Sequence, residues 1–439
     1  MRVTQLKLAN LRAIEAAEFR FQPGFNLLVG VNGVGKSTVL DALRVCISRI
    51  LPSIAESRAK AMSFAIDDIR SGFSFLDVEL SLAVNLQEFR FTRREWRESF
   101  AADDKENLER LRREILNSER LRDRARNLLR ELEESHGVSD SDAFAPSQAQ
   151  LKKTASALAV APSCVYFSTN RSVASYASTS KSRAVGGKPA AYAEALVPRP
   201  MYLAQFADWM RVQEVLAREQ RVAARHLEVL RSAIAQFLPT YKNLRPGDEK
   251  SSRLVINQGG ITLDVSQLSD GERGVLALVL DLARRLSQAN PSLDDPLQDG
   301  DAVVLIDEID LHLHPTWQRQ IVRNLTAAFP RCQFIATTHS PQVIGEVEHD
   351  RIQIIANGQV YSPTHSFGVD SSRVLEEIMD ADPRAQEVKA LLSQVSQEVG
   401  KQRFEGARGL LAQLVDRLGE GDPEVTRIRT LLDFMEGKE

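Results

Sequence analysis

Phe25-Asn26-Leu27-Leu28-Val29, followed at once by Gly30-Val31-Asn32-Gly33-Val34-Gly35-Lys36-Ser37, decides the fold of this chain. The first five residues read as a buried strand. The next eight fit G-x-x-x-x-G-K-S, and a helix follows with Val39, Leu40, Leu43 and Ile47 on one face. Glycines allow such a loop to wrap its N–H groups around phosphate oxygens at a helix N-terminus. Lys36 is then expected to reach the β- and γ-phosphates, and Ser37 to ligate Mg²⁺. Gly30, Asn32, Gly33, Gly35, Lys36, Ser37 and Thr38 are the expected nucleotide contacts, with ATP and Mg²⁺ as the cofactors.

Working outward, Val303-Val304-Leu305-Ile306-Asp307-Glu308 is an apolar strand ending in two acids. Two buried carboxylates without partners are expensive, so a metal and a nucleophile account for them. Asp307 is expected to hold the Mg²⁺ shell, and Glu308 to act as general base on the attacking water. Leu268-Ser269-Asp270-Gly271-Glu272-Arg273 opens another helix, where free N–H groups and the helix dipole favour an anion. Taken alone, Ser269 there is a helix cap. Asp310 follows Glu308 by two positions, and His339 lies in Ala336-Thr337-Thr338-His339-Ser340 after a further apolar strand.

In this order the motifs resemble those of ABC-type ATPases. The resemblance implies that Ser269 and Gly271 form the signature, which contacts the γ-phosphate bound to a second copy. It implies that Asp310 is the D-loop acid and His339 the switch histidine, acting with Lys36 and Glu308 in hydrolysis. It also implies an ATP-dependent homodimer, with higher oligomers left open. Ile306-Asp307-Glu308-Ile309-Asp310-Leu311-His312-Leu313-His314-Pro315 and Thr337-Thr338-His339-Ser340-Pro341 resemble the soluble RecF/OLD/SMC-like class. More closely they resemble the anti-phage PtuA-like ATPases of Septu and retron systems. The likeness covers about residues 1–95 and 240–365 and extends to Phe367-Gly368-Val369-Asp370-Ser371-Ser372-Arg373-Val374-Leu375. The expected fold class is therefore α/β, a RecA-like core plus an antiparallel β subdomain, with a helical or coiled-coil insertion and a C-terminal helical tail.

Where the family carries a loop glutamine, Ile66-Asp67-Asp68-Ile69-Arg70 has none. Asp67 or Asp68 takes that role, or both are solvated loop acids. Arg12 either reaches the nucleotide or is an exposed strand-end charge. His312 and His314 are read as interface or packing residues rather than a metal pair. Glu376, Glu377 and Asp380-Ala381-Asp382 share one helical stretch before Pro383, so they do not make the separated acid set of the nuclease domain that OLD proteins carry. The family's pattern then puts any nuclease on a partner, such as an HNH protein.

The expected organisation is an ATPase lobe at 1–95, a helical insertion at 96–240, a second lobe at 241–365 and a helical tail at 366–439. Residues 105–134 read as a coiled-coil arm or as an amphipathic helix on the core; 135–150 read as a linker. Val165-Tyr166-Phe167 reads as a core strand, Ser168 to Pro189, which includes Arg171, as a mobile basic loop, and about 203–237 as a second helical segment. Composition sets limits on this reading. Net charge is −3 with 43% hydrophobic and 26% charged residues, so no global positive field draws the chain to nucleic acid. Contact with DNA or RNA would need a local patch, as in an alternative RecF/SMC-like DNA clamp. A degenerate, scaffolding ATPase is the third reading. Cys46, Cys164 and Cys332 form no metal or disulfide spacing, which suits a reducing cytosol. MRVTQLKLANLR reads as a strand rather than a signal peptide, and no membrane span is expected. The expected location is cytoplasmic.

Overall fold

The computed structural model describes residues 1–57, 60–85, 87–97, 145–169, 171, 173–174, 187–248, 252–356, 358–379 and 381–436. The 105–134 arm and the Lys181 and Arg183 part of the basic loop lie outside them, as does Asp380. The chain forms two compact units, Met1–Val369 and Asp370–Glu439.

A six-stranded sheet organises the larger unit. Phe25–Val29 lies between Ile352–Ala356 and Gln333–Thr338, and Ala302–Ile306 lies between Gln333–Thr338 and Ser163–Phe167. These five strands are parallel, and Gln359–Tyr361 adds an antiparallel edge. Every residue of Phe25–Val29, Ala302–Ile306, Gln333–Thr338 and Ser163–Phe167 is buried. That accounts for their largely apolar make-up, because helices cover both faces of a parallel sheet. Parallel strands also bring the loops after their carboxyl ends together, where open α/β sheets bind ligands.

A four-stranded antiparallel sheet packs beside this core in the order Ile14–Arg20, Arg2–Leu11, Phe75–Val84, Gln87–Trp96. Its inward side chains Val3, Leu6, Leu8, Val78, Leu80 and Phe91 join the P-loop helix Lys36–Ile54 in one core. A third sheet pairs Tyr241–Pro246, Leu254–Gln258 and Ile261–Asp264 ahead of the helix Asp270–Ala289. These layers are the α/β P-loop architecture with an antiparallel subdomain. The smaller unit holds the helices Ser371–Glu377, Gln386–Gly400, Phe404–Leu418 and Pro423–Met435. Val395, Leu411, Leu414 and Ile428 are among the residues of its own apolar core.

Several expectations change in detail. Within the segment 96–240, the core strand read at Val165-Tyr166-Phe167 is present as Ser163–Phe167 and joins the main sheet parallel to Ala302–Ile306, so that stretch belongs to the core and not to the insertion. The helical segment expected at about 203–237 is formed by two helices, Leu203–Leu216 and Arg221–Phe237. The end of the 135–150 linker is already helix, Ala145–Ala155. Tyr241–Pro246 is a strand that the sequence pattern does not announce.

Candidate functional site

The loop after Phe25–Val29 closes into the helix at Lys36 with Gly35 as its N-cap, at φ +105°. A Cβ on Gly35 would meet the Ile14 side chain at 3.0 Å, so both the backbone angle and the space require glycine. Lys36 turns back into the loop and donates from Nζ to the carbonyls of Gly30 (2.8 Å) and Val31 (3.0 Å). Burial lowers its pKa, opposed by Asp307, Glu308 and Asp310.

Ser37 Oγ lies 3.0 Å from Asp307 Oδ2 and 3.2 Å from Oδ1, joining the P-loop helix to the end of Ala302–Ile306. Asp307 Oδ1 also accepts from Thr337 Oγ1 at 2.7 Å. Thr337 in turn accepts the Glu308 N–H at 2.7 Å, and its carbonyl accepts the Ile309 N–H at 2.9 Å. Thr338 Oγ1 donates to Asp310 Oδ1 at 2.5 Å. Glu308 is half-buried and adopts a left-handed backbone, φ +49°. A residue with a Cβ holds such an angle only where its surroundings enforce it. His339 is half-buried; burial and then Lys36 lower its pKa, against Asp310, Glu308 and Asp307. Lys36, Ser37, Asp307, Glu308, Asp310 and His339 thus belong to loops leaving three adjacent parallel strands.

The oxygen set of Ser37 and Asp307 suits Mg²⁺, which keeps several waters and takes few protein ligands.

Ser269 caps the helix Asp270–Ala289 in a reciprocal capping box. Its Oγ donates to Glu272 Oε2 at 2.7 Å, its N–H donates to the same oxygen at 2.9 Å, and the Glu272 N–H points back to it at 3.4 Å. Tyr241 OH donates to Glu272 Oε1 at 2.8 Å. Gly271 is tied to the D-loop side of its own chain, since a Cβ there would lie 2.4 Å from the His312 carbonyl oxygen. Further along that helix, Asp281 binds Arg284, Arg285 and Arg199, and Arg285 donates to the Ala191 carbonyl at 2.6 Å.

The more open candidates have structural partners. Arg12 pairs with Asp41 and Asp68, each at 2.7 Å, which commits its guanidinium and the Asp68 carboxylate to each other and to the P-loop helix. Asp67 is exposed. His314 caps the helix Pro315–Ala328 through Nδ1, which accepts the Thr316 N–H at 3.3 Å. Glu377 pairs with Arg373, and Asp382 with Lys389, both within the tail.

Two residues were missed as functional from the sequence. Thr337 stands inside a quoted motif, but its two hydrogen bonds, one to the Asp307 carboxylate and one from the Glu308 N–H, need the strand register. Arg171, read as part of a mobile basic loop, is instead 7% exposed and donates to the Asp307 and Glu308 carbonyls. The available signal was its place four residues beyond an apolar strand.

A family model described as "AAA domain, putative AbiEii toxin, Type IV TA system" matches residues 25–345. The Retron Ec83 probable ATPase of Escherichia coli is 38% identical over 223 residues, 50% of this chain and 41% of that protein. The Septu protein PtuA of Bacillus mycoides (strain KBAB4) is 44% identical over 77 residues, 18% of this chain and 10% of that one. The chain therefore spans less than half the length of either relative. Among solved structures, an SMC head bound to the C-winged helix domain of ScpA aligns with TM-score 0.45 and 14% identity, over 82% of this chain and 97% of that one. The matched range takes in the P-loop strand, His339 and every nucleotide motif described above, and the chain belongs to this AAA-domain family.

Proposed function

We propose that this AAA-type ATPase binds Mg-ATP on the P-loop and hydrolyses it when the Ser269–Gly271 helix end of a second copy closes over the γ-phosphate. The observation that carries the reading is the Ser37–Asp307–Thr337 hydrogen-bonded set beside Lys36 and Glu308. Lys36 exchanges its loop carbonyls for β- and γ-phosphate oxygens, while the loop N–H groups near Gly35 hold the phosphate chain. Ser37 and Asp307 hold Mg²⁺, which when bound offsets phosphate charge. Glu308 orients the attacking water and takes its proton as the water oxygen bonds to the γ-phosphorus. The bond from that phosphorus to the β–γ bridging oxygen breaks, and ADP leaves with the electron pair. His339 and Asp310 frame the γ-phosphate end of the site, and Asp310 is oriented by Thr338.

In the cell, the retron and Septu relatives support a regulatory subunit of a cytoplasmic anti-phage complex that controls a separate nuclease, such as an HNH protein. Among the described residues, no helix is long and apolar enough to cross a membrane.

Hydrolysis and native mass, measured together on wild type, Lys36→Ala and Glu308→Gln, test this reading. Glu308→Gln should bind ATP, turn over little and accumulate as an ATP-held dimer, and Lys36→Ala should lose both binding and dimer. Turnover by a monomer would sink the two-copy mechanism. DNA-stimulated, salt-sensitive turnover with no copurifying nuclease would favour a DNA clamp instead.

A further inference from the structure

We propose that Arg171 is a positioning residue of the hydrolytic centre: its guanidinium holds the main chain on both sides of Glu308 and so fixes where that carboxylate points. The inference rests on the reading of Glu308 as general base.

Arg171 Nη1 donates to the Asp307 carbonyl and Nη2 to the Glu308 carbonyl, each at 2.5 Å. The first carbonyl belongs to the peptide plane before the Glu308 Cα, and the second to the plane after it. One planar fork therefore grips both planes that set φ and ψ of Glu308, and with them the direction of its Cα–Cβ bond. On the other flank, Thr337 holds the same two planes through the Glu308 and Ile309 N–H groups. Glu308 needs such a clamp, because its φ of +49° is a strained angle for a residue with a side chain.

Arg171 is anchored in its turn. Its N–H donates to the Ser168 carbonyl at 3.1 Å, directly after the strand Ser163–Phe167, which pairs with the strand carrying Asp307. Its hydrogen bonds to described residues all go to main-chain oxygens. Burial lowers its pKa to about 10, against the fields of Asp310, Asp307 and Glu308, so it stays a cation at neutral pH. A cation buried at 7% exposure and spent on main-chain oxygens beside three acids is placed to hold geometry.

The test compares wild type, Arg171→Ala, Arg171→Lys, Glu308→Gln and the Arg171→Ala/Glu308→Gln double variant, reading Mg-ATP affinity, KM and kcat separately, with folding checked by thermal melting. Arg171→Ala should keep its Mg-ATP Kd within about threefold while kcat falls about 10- to 100-fold, the scale of a small misplacement of a reacting group. Added guanidinium ion should restore part of that kcat, and Arg171→Lys should fall between. The double variant should be no slower than Glu308→Gln alone, since both act through one carboxylate. If Arg171→Ala does not fold, Arg171→Lys carries the same split of kcat from affinity. Wild-type kcat in Arg171→Ala, a fully additive double variant, or affinity and kcat lost by the same factor would each overturn the proposal. Wild-type turnover in Glu308→Gln would overturn the general-base reading first and the positioning role with it; only that outcome is read without any Arg171 variant.

Discussion

Asp281 carries the most exposed-to-test electrostatic commitment in the larger unit. Its Oδ1 accepts from Arg284 at 2.6 Å and its Oδ2 from Arg285 at 2.8 Å, with Arg199 at 3.3 and 3.4 Å. Asp281 is 2% exposed and Arg285 0%. In Asp281→Asn, three guanidinium groups lose their shared anion, and an amide that is itself a donor faces their N–H groups. Removing one partner of a buried ion pair costs about 3–5 kcal/mol, and sharing among three cations argues for the upper half of that range. Trp96, Trp209 and Trp317 are the chain's only tryptophans, and all lie in Met1–Val369, so tryptophan fluorescence in a urea titration reads that unit alone. Burial pushes the Asp281 carboxyl up, but Arg285, Arg284 and Arg199 outweigh it and the net shift is down. The stabilisation is therefore complete above the ordinary carboxylate value of about 3.9, declines as pH falls below it and is gone once pH has fallen through the lower folded value. The gap between wild type and variant should be constant from neutral pH to about pH 5 and narrow below about pH 4. A gap under about 1 kcal/mol, or one that closes near neutral pH, would refute the assignment of this cluster as a buried anchor.

Other perturbations read different links. Thr337→Val keeps the shape but removes the donor to Asp307 and the acceptor for the Glu308 N–H at a fully buried position; it should lower stability by about 2–4 kcal/mol and depress turnover, and unchanged melting with unchanged turnover would contradict it. Gly271→Ala forces a Cβ against the His312 carbonyl, so about 1–3 kcal/mol of strain and faster amide exchange across residues 309–314 are expected; wild-type exchange there would count against the close approach. Ser269→Ala removes a helix cap worth about 1 kcal/mol, yet turnover should fall far more than that loss of stability implies. A turnover loss no larger than the stability loss would leave Ser269 as a cap only.

The parts legible in the sequence are those where phosphate chemistry restricts residue type. Only a glycine-rich loop ending in Lys36-Ser37, and acids at the end of an apolar strand, perform those tasks, so the core sheet and its loops could be drawn from residues 25–40 and 303–310. What stayed hidden depends on partners far away in the chain. Nothing near Arg171 says that its guanidinium meets the Glu308 carbonyl; that follows from Ser163–Phe167 pairing with Ala302–Ile306. Arg12 likewise looks like a free strand-end charge until Asp41 and Asp68 are folded against it. The break between Leu216 and Arg221 has no glycine or proline to mark it.

The sheet order also has a consequence for how the chain is made. All four strands of the antiparallel sheet lie between Arg2 and Trp96, so this layer can assemble early in synthesis. Phe25–Val29 cannot follow it, because its neighbours on both sides, Gln333–Thr338 and Ile352–Ala356, are translated near the end of the larger unit. Until then a strand that is apolar except at Asn26 waits with both edges bare, the sort of long-range pairing that slows folding and invites aggregation. The nucleotide pocket is thus among the last features to form on the ribosome, and a nascent or truncated chain that has already built its antiparallel layer still has no competent place for ATP.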